Sequence, residues 1–165
     1  MSTGSFFVAG LMQGARPGAD LADQSYRQEL REVIGRHRPD AVVSDPVELL
    51  LERFAGEVTR IRAAHAALAG QPVLRRDRLD PVVLELIDAF HEMTELAAAS
   101  DVCVAWLPGR EPSMGTAMEM YRAYLAGRTV VAITEMRQTL AILACSTVIL
   151  PDLAAFEEWL VAEAP

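Results

Sequence analysis

The sequence predicts an α/β domain, a doubly wound parallel sheet of five strands with helices on both faces, and three observations carry that reading. Five short apolar, β-rich runs at 5–9, 41–44, 101–106, 129–133 and 146–150 alternate with longer helical patterns, the signature of repeated β-α-β units. The runs are almost continuously hydrophobic instead of alternating, as expected of strands buried on both faces. With 165 residues, 52% of them hydrophobic and 23% charged, the chain is globular and fits one core, so residues 1–165 read as a single domain.

The elements follow in order. After the first strand comes a loop, Gly10-Leu11-Met12-Gln13-Gly14-Ala15-Arg16-Pro17-Gly18, and then a helix on which Asp23, Tyr26 and Arg27 share a face at i, i+3 and i+4. That trio could line a pocket, but a surface cluster is the plainer reading. The second strand runs into Asp45-Pro46-Val47-Glu48, which sets a cap, an N1 proline and a capping-box acid in sequence. The stretch before the third strand is long enough for two helices instead of one. Its polar connector, from Gly70-Gln71-Pro72 to Arg75-Arg76-Asp77-Arg78, reads as an ordinary solvated loop, and Asp80-Pro81 opens a helix reaching about Ala99. The last helix opens at Pro151-Asp152 and carries the apolar stripe Leu153, Phe156, Trp159 and Leu160. Five such strands commonly take the flavodoxin-like order 2-1-3-4-5, with ligands bound where strands 1 and 3 diverge at their carboxyl ends. That rule selects the loop after Gly10 and the loop 107–115.

Bulk properties narrow the function. A net charge of −8 argues against a nucleic-acid polymer as partner. Cys103 and Cys145 both lie in apolar runs and read as buried, reduced core thiols. His37, His65 and His91 are isolated from them and from each other, so no metal-ligand spacing is present and no metal is expected. No basic leader or long apolar run is seen, which leads to the expectation of a soluble cytoplasmic protein that binds no membrane.

The segment most suggestive of chemistry is Pro112-Ser113-Met114-Gly115-Thr116-Ala117-Met118-Glu119, which falls in the second of the two selected loops. A small-residue turn opening a helix offers unpartnered N–H groups to an anion. Ser113 and Gly115 read equally as phosphate receptors or as an N-cap and a tight turn. Thr116-x-x-Glu119 has the spacing of a capping box, a purely structural role. Placed at the cleft, Glu119 would instead serve as a nucleophile at an anomeric carbon, held ionised by the helix dipole. Trp106 would stack on a nucleobase or pack beneath the loop. Asp101 sits at the amino end of its strand and reads as structural; Met114, Met118 and Met120 read as core or pocket filler, and His91 with Asp88 as a helix-surface pair.

Phe7-Val8-Ala9-Gly10, Ser100-Asp101-Val102-Cys103-Val104-Ala105, and above all 113–120 with Gly115 and Glu119 in a Gly-x-x-x-Glu pattern, resemble the nucleoside 2-deoxyribosyltransferase family. The resemblance spans roughly residues 5–133, and only its last segment is specific. It implies a five-stranded flavodoxin-like domain that cleaves N-glycosidic bonds with Glu119 as nucleophile and no cofactor, and it implies a homodimer. Pro112-Ser113-Met114-Gly115 is similar to the branch that hydrolyses deoxynucleoside 5′-monophosphates, in which the serine helps hold the phosphate. The segment is also similar to the Gly-Thr-x-x-Glu motif of cytokinin-activating phosphoribohydrolases. Met93 stands where the family carries an aspartate, Phe7 where it often has an aromatic hydroxyl, and the first loop shows no carboxylate before Asp20. The expected activity is hydrolysis or glycosyl transfer on a nucleoside or its 5′-monophosphate. Ser113, Gly115 and Thr116 would take the phosphate or sugar, while Gly10, Gln13 and Trp106 would shape the base site. The alternatives are a non-catalytic nucleotide-binding module on the same fold and an interaction protein in which Glu119 only caps its helix.

Overall fold

A computed structural model describes residues 4–13, 16 and 21–162. Gly14, Ala15, Pro17 and Gly18 of the first selected loop, and Asp20 beyond it, lie outside the described residues. The strands are β1 (Ser5–Gly10), β2 (Val42–Ser44), β3 (Val102–Leu107), β4 (Thr129–Thr134) and β5 (Val148–Leu150), all parallel in the order β2-β1-β3-β4-β5. The helices are α1 (Ser25–His37), α2 (Pro46–Arg53), α3 (Val58–Leu68), α4 (Pro81–Ala99), α5 (Met114–Leu125), α6 (Leu140–Cys145) and α7 (Leu153–Ala162).

Strand alternation sorts the core into two layers. Phe7, Ala9, Cys103, Ala105 and Leu107 face Met93 and Ala97 of α4, Met120 and Ala123 of α5, and Ile142 of α6. Phe6, Val8, Val102 and Val104 face Leu30, Val33 and Ile34 of α1 and Phe156, Trp159 and Leu160 of α7. Both cysteines are free and buried in the first layer. At the amino edge, Asp101 accepts from the Ser5 amide at 2.9 Å and the Ser5 hydroxyl at 2.8 Å, which pins the starts of β1 and β3 and holds the carboxyl below its usual pKa. Its structural reading stands.

The helix boundaries have local causes. Asp45 accepts from the Val47 amide and Asp80 from the Val82 amide, each at 2.9 Å, with a proline following the cap in both cases. Asp152 accepts from the Ala155 amide at the start of α7. At the end of α5, Gly127 at φ 70° lets the Arg128 amide reach the Ala123 carbonyl and its own amide reach that of Tyr124. These two bonds close the helix and aim the chain into β4. Between β2 and β3 the structure has three helices where the sequence suggested two. Gly56 at φ 87° supplies the turn that separates α2 from α3, a break that no proline announces. Arg75, Arg76 and Arg78 are exposed around a 3-10 turn, as a solvated connector should be. Among the described residues no helix is long and apolar enough to cross a membrane.

Candidate active site

The site begins with the first turn of α5. Ser113 is the N-cap: its Oγ accepts from the Thr116 amide at 3.3 Å and from the Thr116 hydroxyl at 2.9 Å. Thr116 is therefore the third residue inside the helix and Glu119 lies a turn deeper, so the capping-box reading of Thr116 and Glu119 is corrected. Glu119 does not reach back to a cap amide; its side chain goes inward and is 4% exposed. The amides of Met114 and Gly115 precede any intrahelical acceptor and stay available to a ligand. At Gly115 an added methyl would meet only the Phe90 ring, at 3.4 Å, so packing alone does not demand glycine there.

Glu119, Ser113, Gly115 and Thr116 line a cavity of about 370 Å³ at the carboxyl edge of the sheet, together with Gly10 and Gln13 from the end of β1 and the residues after it. This volume lies in the range of small-molecule sites. The opposite wall comes from the β2–β3 crossover: Leu50 of α2, His65 of α3, and Val83, Leu86, Ile87 and Phe90 of α4. The cavity thus has a polar wall, made by α5 and the β1 end, and an apolar wall in which His65 is the one titratable group. The apolar wall was not foreseen from sequence. Its signal was a second stripe on α4 (Val83, Leu86, Ile87, Phe90) beside the core stripe of Ala89, Met93 and Ala97.

Trp106 is placed differently from the other site residues. It faces the α1 layer, half-buried, with its ring edge-on to Tyr26 at 5.6 Å, and it does not line the cavity. Gly10 has a packing role beside any contact with ligand. A Cβ there would lie 2.3 Å from the Tyr26 hydroxyl and 2.8 Å from the Trp106 carbonyl oxygen.

Behind Glu119 lies a buried ion pair. The Arg27 guanidinium, 3% exposed, donates to the Val8 carbonyl at 2.8 Å, the Gly10 carbonyl at 3.0 Å, Gln24 Oε1 at 2.8 Å and Asp45 Oδ1 at 3.2 Å. Pairing of β1 with β2 ends at Phe7 and Ser44, so the last carbonyls of β1 on that side lack a strand partner and Arg27 supplies one. The reading of Asp23, Tyr26 and Arg27 as a surface cluster is corrected: Tyr26 and Arg27 point into the core, and only Asp23 stays outside, accepting from the Ser25 amide and hydroxyl at the start of α1. Arg27 falls on the buried stripe of α1 with Tyr26, Leu30 and Ile34, and an arginine on such a stripe was the available signal. Burial pushes the Tyr26 hydroxyl up to about 12 while it donates to the Leu11 carbonyl at 2.9 Å.

Among the described residues the Glu119 carboxyl has no hydrogen-bond or ion-pair partner. Burial raises its pKa to about 8; Arg27 opposes that rise and Asp45 adds to it. The expectation that the helix dipole keeps Glu119 ionised is thereby corrected, because the dipole acts chiefly within the first turn and Glu119 lies beyond it. Burial thus favours the neutral carboxyl of Glu119 over the carboxylate. His91 is exposed, with no ion pair to Asp88, and no group of three or more His, Cys, Asp or Glu among the described residues could hold a metal ion. Met120 is core, whereas Met114 and Met118 are exposed, and Met114 also borders the cavity.

No family model matches the chain, and no curated protein matches it. Among solved structures it is similar to a 2-deoxyribosyltransferase from the psychrotolerant bacterium Bacillus psychrosaccharolyticus, with 13% identity over 93% of this chain and 90% of that one, at a TM-score of 0.54. It is also similar to a conserved protein from Enterococcus faecalis V583, with 22% identity over 97% and 87% of the two chains, at a TM-score of 0.46. The first likeness is one of fold: the α/β architecture with a five-stranded parallel sheet in the order 2-1-3-4-5 matches that of the deoxyribosyltransferase.

Proposed function

We propose that this chain is an enzyme that cleaves the N-glycosidic bond of a nucleoside or nucleoside 5′-monophosphate, as a hydrolase or a glycosyl transferase of the deoxyribosyltransferase type. The observation that carries the proposal is a buried, unpartnered carboxyl group, Glu119, facing a cavity that also receives the free amides at the start of α5. A buried carboxyl with a raised pKa in a cleft is a frequent mark of catalysis. The fold shared with a 2-deoxyribosyltransferase supports the same reaction class.

In this reading the sugar and any 5′-phosphate lie along the polar wall, held by Ser113, Thr116 and the Gly115 amide, with Gly10 and Gln13 closing the near side. The base lies against the apolar wall. Ionised Glu119 attacks C1′ as the C1′–N bond breaks, through an oxocarbenium-like transition state, and water or an acceptor base releases the glycosyl group. The protein works as a homodimer, without metal or organic cofactor, in the cytoplasm.

One observation favours a second role for the same residue. Burial raises the Glu119 pKa to about 8, which favours a protonated form able to give its proton to the departing base. A panel of nucleosides and nucleoside monophosphates, assayed for free base, tests the function. Release is expected from wild type and a loss of at least about 10²-fold in Glu119→Ala. Undiminished release in that variant removes Glu119 from the chemistry, and binding without turnover leaves a nucleotide-binding module. A glycosyl adduct on Glu119 in quenched reactions identifies the nucleophile; single-turnover release without an adduct identifies the acid.

A further inference from the structure

Cleaving a nucleoside requires more than a nucleophile, because an ordinary base leaves as an anion unless it gains a proton. Only two titratable side chains among the described residues line the cavity, Glu119 on the polar wall and His65 on the apolar one. His65 is half-buried on α3, and its neighbours in the lining are hydrocarbon: Leu50, Val83, Leu86 and Ile87. A flat base placed there, with its ring face on the hydrocarbon, has one titratable side chain of that wall able to exchange a proton with its edge. Asp45 and Arg27, the charges that act on Glu119, lie where α1 and the α2 cap meet the end of β1 and do not line this cavity.

We infer that His65 is the general acid of the reaction, protonating the leaving base, and that it thereby helps select which bases are released. The inference rests on the nucleophilic reading of Glu119. The competent state has Glu119 ionised and His65 protonated. A Glu119 carboxylate oxygen bonds to C1′, the C1′–N electron pair passes to the base, and the imidazolium proton moves to a ring nitrogen of that base. Neutral His65 then takes a proton from the water that attacks C1′, the C1′–Glu119 ester bond breaks, and the starting protonation state returns. The sum is nucleoside plus water giving sugar plus base.

The test compares two substrates in one preparation. A 7-methylguanine nucleoside 5′-monophosphate carries its own positive charge on the base and leaves without an acid, whereas the unmethylated guanine nucleotide needs one. His65→Gln should slow the unmethylated substrate by about 10²-fold or more and the methylated one by less than tenfold. The ratio of the two rates does not depend on how much of the variant is folded. Equal slowing of both substrates, or slowing of neither, overturns the role of His65. Glu119→Ala reports separately on the underlying reading: it should slow both substrates, and a variant that still releases either base at the wild-type rate overturns the nucleophile, and with it the proposed step.

Discussion

Glu119, the side chain proposed for the chemistry, also weighs on folding. Its carboxyl has a usual pKa of 4.5 in the unfolded chain and about 8 in the fold. Below pH 4.5 both states hold the proton and burial exacts no ionic penalty. As pH rises, the unfolded chain ionises first, so stability falls until the folded group also titrates near 8 and then levels off. Glu119→Gln should therefore be more stable than wild type, with a gain that is small at pH 4 and grows to about a few kcal/mol by pH 8, at roughly 1.4 kcal/mol per unit. Urea unfolding at the two pH values measures this, and a gain that does not change with pH would contradict the buried-acid assignment. Cys103, in contrast, is a buried thiol raised far above its ordinary range by burial and by Glu119, which leaves it unreactive.

Among the elements, the junction of β1, α1 and α2 sets the floor of the site. Arg27 joins the end of β1 to the cap of α2, since Asp45 accepts at once from Arg27 and from the Val47 amide. Arg27→Met removes one partner of a buried pair, leaving Asp45 without its counter-charge and the Val8 and Gly10 carbonyls without this donor. The expected loss is about 3–5 kcal/mol, read from a denaturant midpoint, whereas breaking an exposed pair such as Arg122 with Glu95 should leave that midpoint almost unchanged. This junction was the least legible part of the sequence. The strand runs could be read because continuous hydrophobicity is a local signal, and the caps at Asp45, Asp80 and Asp152 because they depend on a few adjacent residues. Ser113 could be read as a cap, but whether the partner of Thr116 was Ser113 or Glu119 depended on where the helix began. The pairing of Arg27 with Asp45 depends on where β2 stops relative to β1. The wall containing His65 depends on how three helices of the crossover fold over one another. Neither is encoded in a neighbouring residue.

At the scale of the whole molecule, α5 is two-sided. Its inner face carries Glu119, Met120 and Ala123, while Met114, Met118, Tyr121 and Leu125 form an exposed stripe at helical spacing on the outside. Apolar stripes of this kind commonly mark a contact between chains. The proposed homodimer would place it there, with Met114 at one end of the stripe also lining the cavity. Sedimentation should show a dimer for wild type and a monomer for the Met118→Glu, Leu125→Glu double variant. A monomeric wild type would remove the dimer from the proposal without touching the chemistry of Glu119.

The two walls of the cavity also differ in what they owe to the rest of the fold. The polar wall is built from the end of β1 and from α5, which rest on the sheet through buried residues such as Ala9, Met120 and Ala123, so its placement is constrained by the core. α3 buries no residue at all, although it carries His65 to the opposite wall. Its half-buried residues, Ile61, Ala64, His65 and Leu68, recur at helical spacing, so α3 meets the rest of the fold through the narrow face that carries His65. Under the proposed function, such a chain can be engineered toward new bases at the hydrocarbon residues of the crossover wall, Leu50, Val83, Leu86 and Ile87, with Glu119 and His65 left as they are.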